Sequence, residues 1–410
     1  MRRGLLVAAA GLLLGVGSAG AARPANELAP LVLPKGQLGK LAQRLQVELK
    51  SGTTSNARAA DDSFDPNDSE ASVKKAGRGY GYTLLYGDVG WTGLRTGHGL
   101  LDVGSSLDLF KSEQHATQYA LKSLRDAQAA QGKNLQGTVI ERVRIFRITG
   151  LGPGAVGLEV TQRLGTHRLY GTFIDFQLAN ILCEALINRA DAQNMRRQVA
   201  DIAKKLRDRI VTVVAKKQNP TPAPLPRPLG TAKPGPGAPD LSAMVPTNGD
   251  LKGKAGVDTQ GFVPDDDAIA SYVREYRLPP NSGLFSLRAT AALERTAREA
   301  SGRLFLLRSV ITGPDAGDSL AHQLAPGATA VHLDGTQSAK LGDESFATAV
   351  SFKAGGQRLR VVIVYERRER IIGSIILLGT AKKLQLAGAM FYAKQLDKRI
   401  KSALNPALVA

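Results

Sequence analysis

Residues 151–210 can be laid on residues 341–400 at a constant offset of 190 without a gap, and the order of apolar and polar positions is largely kept. Val160 falls on Val350, Gly165 on Gly355, and Arg168-Leu169 on Arg358-Leu359. Further on, Ala203-Lys204, Leu206 and Arg209-Ile210 fall on Ala393-Lys394, Leu396 and Arg399-Ile400. Identities mostly differ elsewhere while apolar or polar character persists, which is what two diverged copies of one packed unit retain.

In the first copy, Leu38, Leu41, Leu45 and Leu49 predict a helix over 36–50, and period-two patterns predict strands over 81–86 and 100–109. A helix is predicted over 113–131, with Ala116, Tyr119, Ala120, Leu124 and Ala127 on one side. Strands follow at 138–148, 155–163, 168–176 and 180–188. A last helix runs over 191–214, with Asp191 as its N-cap and Val199, Ile202, Leu206 and Ile210 as its buried stripe. The second copy predicts a helix over 290–307, strands around Ala330, Ala347, Leu359 and Ile371, and a helix over 382–404. Residues 164–167 and 354–357 are hairpin turns, too short for a parallel connection, so the strands they join are antiparallel. The fold class expected is α+β: two tandem repeats, each an antiparallel β-meander sheet covered by helices before and after it.

The copies are separated by a change of composition. Residues 219–239 read NPTPAPLPRPLGTAKPGPGAP, an extended, solvated spacer. The expected organisation is a signal peptide over 1–21, a first repeat over 26–216, a Pro-rich linker over 217–239 and a second repeat over 240–405. Arg2 and Arg3, an apolar run to about Val16 and small residues through Ala21 have the three-part layout of a secretory signal. The run is short of the ~20 residues a membrane span needs, so no transmembrane helix is expected after cleavage. The expected location is secreted, extracytoplasmic. A single cysteine, Cys183, excludes an intramolecular disulfide framework, and each repeat must stand on its own core. Residues 52–70, rich in Ser, Thr, Asn and Asp, are expected to form a surface loop.

The order of elements in both copies, with the Leu-Gly turn before each meander, resembles the Mog1/PsbP-like α+β fold of small secreted bacterial proteins. That resemblance implies a binding module and carries no functional residue with it.

Motifs for chemistry mostly dissolve in their context. Residues 152–157 spell G-x-G-x-x-G, but an alternating strand pattern follows where a dinucleotide site needs a helix. Ser72-Val73-Lys74-Lys75 has the S-x-x-K spelling and reads as a solvated helix end. Aspartates at 61, 62, 65 and 68 and at 265–267 lack the spacing of a calcium loop, and the five histidines show no zinc spacing. No catalytic residue, metal or cofactor is assigned. Cys183 lies in an apolar strand and reads as a small core residue.

One segment sets the copies apart. Residues 87–99 hold the sole tryptophan among five glycines, where the second copy has only residues 278–283. Tyr86, Trp91, Arg95 and His98 are the candidate ligand-binding residues, since aromatic and cationic side chains on a glycine-rich loop can stack on or bind a ligand. The net charge of +18 points to anionic partners, an envelope polymer or lipid headgroups. Nucleic acid is disfavoured because aromatics make up only 5% of the chain. The function expected is a secreted, non-catalytic binding or sensor-like protein of the bacterial envelope. A hydrolase-type enzyme with a site near the Trp91 loop and a structural envelope protein are the alternatives.

Overall fold

The computed structural model describes residues 27–405 except 136–137, 153, 217, 219, 227–233, 252–254, 280–281, 314–315 and 326. The expected signal peptide and the middle of the expected linker lie outside the described residues. The chain divides into two compact units, with the boundary after residue 230.

The first unit begins with helix α1 (Lys35–Leu38), a 3-10 turn (Gly39–Leu41) and strands β1 (Gln46–Val47) and β2 (Gly52–Thr54). Helices α2 (Asn56–Asp61) and α3 (Glu70–Lys75) follow, then β3 (Arg78–Gly87), α4 (Thr92–Thr96), β4 (Leu100–Phe110) and α5 (Glu113–Ala129). The rest is β5 (Asn134–Leu135), β6 (Thr138–Arg147), β7 (Val156–Leu164), β8 (His167–Leu178), β9 (Ile181–Arg189) and α6 (Arg196–Ala215). The sheet order is β1-β3-β4-β9-β8-β7-β6-β5, with β2 also on β3 and all pairings antiparallel.

This order corrects the expected meander. Strands β6 to β9 do form one, but β4 pairs with β9, so β4 and β6 run parallel with three strands between them. Such a connection must cross the sheet, and α5 is the crossing element. It therefore lies inside the strand order, on the opposite face from α6. Alternation along the strands serves both faces. Ile174, Phe176, Cys183, Ala185 and Ile187 pack with Val199, Ile202, Ala203, Leu206 and Ile210 of α6. Leu85, Leu158, Val160, Phe173 and Leu186 pack with Ala127 and Ala130 at the end of α5. Each such large aliphatic side chain contributes roughly 1.5–3 kcal/mol of transfer free energy.

Three local expectations are also corrected. The helix over 36–50 is broken: Gly39 has φ 61°, and Leu38 and Leu45 reach the α6-side core from an irregular chain. The surface loop over 52–70 contains β2 and α2, because Ser55 caps α2 by accepting from the Arg58 amide. Asp191 is not the cap of α6. That helix starts at Arg196, while Asp191 accepts from Arg189 and the Gly99 amide.

The second unit contains α7 (Leu241–Met244), β10 (Gly256–Val263), β11 (Ala270–Arg277), β12 (Leu284–Leu293), α8 (Ala297–Ile311) and α9 (Ala316–Leu324). It continues with β13 (Thr329–Gln337), β14 (Glu344–Ala354), β15 (Gln357–Arg368), β16 (Ile371–Thr380) and α10 (Leu386–Leu404). The sheet order, β10-β11-β12-β16-β15-β14-β13, contains the same crossing of the sheet between β12 and β13. The expected helix over 290–307 starts later. Thr290 to Leu293 finish β12, and Thr296 caps α8 by accepting from the Glu299 amide.

The duplication survives to the residue. Strand β8 maps on β15 at an offset of 190 at both ends, and the turns after them hold Ala179 and Glu369 at φ 51° and 53°. Pairing Thr83 with Ser106 and Val273 with Thr290 keeps β3 and β11 at 190, while β4 and β12 stand 184 apart. The six-residue difference is the extra length of the loop over 88–99.

Candidate functional site

The long loop is closed on itself. The Asp88 carboxylate accepts from the Gly93 amide at 2.8 Å, the Trp91 amide donates to the Asp88 carbonyl, and Trp91 precedes α4 with φ 52°. Trp91 is half-buried and Arg95 exposed, and the imidazole of His98 is 83% exposed, 4.0 Å from Asp191. The structure thus brings Trp91, Arg95 and His98 onto one loop. Tyr86 is elsewhere: it is 1% exposed in the α6-side core, its hydroxyl 3.5 Å from the Leu33 carbonyl, and burial pushes its pKa up to about 12. Its counterpart Tyr276 donates to the Pro246 carbonyl at 2.6 Å, so packing explains the tyrosine in both units.

A second feature of the first unit went unread in the sequence. Beneath α5 lies a cavity of about 50 Å³, lined among others by Asp68, Ser106, Asp108, Tyr119, Lys122, Ser123, Asp126, Asp175 and Glu184. That is room for one or two water-sized groups. A transverse row of the sheet supplies its floor: Ser106 faces Glu184, and Glu184 faces Asp175. Ser106, Asp175 and Glu184 are all buried. Helix α5 is aimed over this row by Ser112, whose hydroxyl caps it at the His115 amide.

Lys122 sits among acids. Its ammonium lies 2.8 Å from Asp68, 2.8 Å from Asp126 and 3.6 Å from Asp65. These three carboxylates lie close enough together to share a metal ion, and here the ammonium stands in a cation's place. Burial works to raise Asp68, but hydrogen bonds from Lys122 and Ser63 outweigh it and hold the carboxyl below its ordinary range. Burial likewise works to lower Lys122, and Asp126 and Asp68 raise it instead. On the other side Arg78, fully buried, donates to Asp108 at 2.7 Å and to Thr54 and Asn56. Burial and the nearby Asp108 charge push Tyr119 up to about 12. The lining offers carboxylates, hydroxyls and one ammonium, with no histidine or cysteine.

The sequence did carry a signal for this cavity. Asp175 interrupts Phe173-Ile174-Asp175-Phe176 and Glu184 interrupts Leu182-Cys183-Glu184-Ala185, acids inside apolar strands. Buried acids of that kind require partners or solvent, which distinguishes them from ordinary outward-facing positions. A separate open depression of about 580 Å³ lies between Gly36-Gln37 and the end of α6. There Lys205 and Arg209 donate to the Gln37 and Pro30 carbonyls.

No family model and no curated protein matches this chain. Two solved structures show low similarity. The extracellular domain of PknH from Mycobacterium tuberculosis is 14% identical with a TM-score of 0.29, over 45% of this chain and 98% of that one. The immunity protein TplEi from Pseudomonas aeruginosa is 12% identical with a TM-score of 0.20, over 73% of this chain and 95% of that one. Likeness at this level assigns neither family nor function, and the Mog1/PsbP-like resemblance gains no support from it. Among the described residues no helix is long and apolar enough to cross a membrane.

Proposed function

We propose that this chain is a secreted, non-catalytic binding protein of the bacterial envelope, and that its first unit is the one that holds a small polar ligand. The polar cavity under α5, set against its counterpart in the second unit, carries this reading. Taking the offset of 184 from the two helix caps, Tyr119, Lys122, Ser123 and Asp126 become Arg303, Leu306, Leu307 and Val310. Asp108, Asp175 and Glu184 become Ala292, Tyr365 and Ser374. The fold is therefore built without these acids in its own second copy, so topology does not require them in the first. The lining carries more carboxylates than cations, Lys122 and Arg78 serving Asp68, Asp126 and Asp108, so a ligand bearing positive charge matches its excess of acid.

The test is a thermal-shift titration of the full chain with calcium chloride and with methylammonium chloride, beside the K122L/S123L/D126V variant that copies the second unit. A ligand at about 100 times its Kd adds roughly 2.7 kcal/mol to the stability of the state that binds it. At least one cation is expected to raise the unfolding temperature of the parent and not of the variant. Equal response of the two proteins, or no response, ends this reading.

A further inference from the structure

The α6-bearing face of the first sheet is not covered to its edge. Helix α6 packs over β8 and β9, and beyond it the outer strands present their side chains to solvent. Phe146 marks the face: it packs at the rim of the α6-side core, and its ring lies where a side chain on Gly157 would project. In phase with Phe146 on β6 stand Arg142 and Arg144, both exposed. Opposite Arg144 on β7 is Glu159, which binds Arg196 of α6 through two hydrogen bonds of 2.8 and 2.6 Å. Two residues further along are Thr161 and then Arg163, which is directly opposite Arg168 of β8. Both of these arginines converge on Glu141, at 3.2 and 2.8 Å.

Five arginines and two glutamates thus share a surface about 14 Å long, from position 159 to 163 on β7, and about 10 Å wide across three strands. The glutamates do not neutralise it; they hold three of the guanidinium groups in place. We propose that this face is a docking surface for a linear, phosphate-bearing polymer of the envelope. Guanidinium forks match phosphate oxygens in pairs, and holding the side chains beforehand removes part of the entropy lost on binding. Repeated charges several ångströms apart fit a chain of phosphates better than a single anion. A nucleic acid fits less well, because base stacking needs an open aromatic face; of the aromatics here, Phe146 is covered by the guanidinium of Arg196 at 4.6 Å and Tyr170, opposite Thr161, is half-buried. A lipid surface also fits less well. Ile145, the exposed large apolar side chain on β6, points to the opposite face, and none of the others among the described residues lies on these strands.

The second unit again serves as a control. Arg142 and Arg144 become His332 and Asp334 by strand register, Asp334 is bound by Arg360, and Arg196 becomes Leu386. Arg163 and Arg168 keep cationic counterparts in Lys353 and Arg358, so what the first unit adds is Arg142, Arg144 and the Arg196–Glu159 pair. The inference rests on the reading of this chain as a binding protein but uses none of the cavity residues, so either can fail without the other.

The experiment is fluorescence anisotropy of labelled inorganic polyphosphate with the full chain, at about 50 mM and about 200 mM salt. Binding that weakens steeply with salt is expected. R142E/R144E is expected to lower affinity by at least about tenfold and to flatten the salt dependence. R142Q/R144Q, which removes charge with less disturbance, should weaken binding in the same direction but by less, and both variants should unfold at the parent temperature. K382E/K383E in the second unit should change affinity less than about threefold, by long-range charge alone. The proposal is overturned by absent binding at low salt or by equal losses in the two charge-reversal variants. Preference for a single-stranded oligonucleotide or phosphatidylglycerol vesicles, or competition by orthophosphate at equal phosphate concentration, overturns it as well.

Discussion

The two units solve the same burial problem under the crossing helix in opposite ways. In the second, Arg303 of α8 is enclosed between Glu294 at 2.6 Å and Asp265 at 2.9 Å, and Leu306 and Leu307 close the space beside it. Burial pushes Glu294 up to about 8, with Arg303 pulling the other way, while Arg303 and Ser271 outweigh burial and keep Asp265 low. In the first, Tyr119 takes the arginine's position, a buried arginine enters from β3 instead, with Arg78 on Asp108 at 2.7 Å, and further charges spread outward around Lys122 and a cavity. One topology accepts a sealed ion network or an open polar site. What fills the layer between helix and sheet is thus a choice made by side chains, and this is where the two copies differ most in buried charge.

The sharpest break of this comparison is Arg303→Met. It leaves two buried acids without their cation and should cost about 3–5 kcal/mol, whereas replacing Arg303, Asp265 and Glu294 together with apolar residues should cost far less. Urea unfolding followed by far-UV circular dichroism reads both units, and fluorescence of Trp91 reads the first alone, since it is the only tryptophan. The Arg303→Met loss should appear in the first signal and leave the second unmoved.

The pH effect of the first unit can be read apart from that of Glu294 in the second, because Trp91 reports the first unit alone. Burial, with the Glu48 charge beside it, pushes Asp102 up to about 8, and the matching residue of the second unit is Ser286. Between about pH 4 and 8 the unfolded chain has released this proton and the folded unit retains it. Stability conferred by the protonated acid is therefore complete at the acid end and lost as pH rises through that window. Asp102→Asn should flatten the pH dependence of the Trp91-detected midpoint. An unchanged slope would remove Asp102 from the account.

Smaller effects refine the picture. K122L/S123L/D126V should change stability by no more than about 1 kcal/mol, because Lys122 is partly exposed and Ser63 and Ser72 still donate to Asp68 once it is gone. A loss beyond about 2 kcal/mol in chemical denaturation would mean that the polar cavity is structural after all. Smallest is Trp91→Gly, where relief of a left-handed backbone opposes lost packing, for a net change within about 1 kcal/mol by thermal unfolding.

Much of this was legible in the chain. The constant offset of 190, the two-residue turns at Gly165-Thr166 and Gly355-Gly356, and the apolar stripe of α6 are local patterns, and local patterns write themselves into sequence. The six-residue excess of the Trp91 loop was visible for the same reason. The partner of β4 was not, because a pairing with β9 more than 70 residues away leaves no periodic trace. The run Thr290-Ala291-Ala292-Leu293 suits strand or helix, and only its place beside β16 decided for strand. Tyr86 looked available to a ligand beside its loop, yet alternation turns it into the core. The cavity and the arginine face draw on α2, α5 or α6 together with several strands, so no single window of sequence contains either.

The order of letters alone specified a duplicated α+β chain, its four longest helices, most of its strands and an excess of positive charge, because propensity, periodicity and composition act over a few residues at a time. Only the folded molecule decided which faces α5 and α6 cover, which acids become enclosed and where the arginines gather. Those outcomes arise when distant strands come together at spacings of about 5 Å, and contact at that range is a property of the assembled sheet.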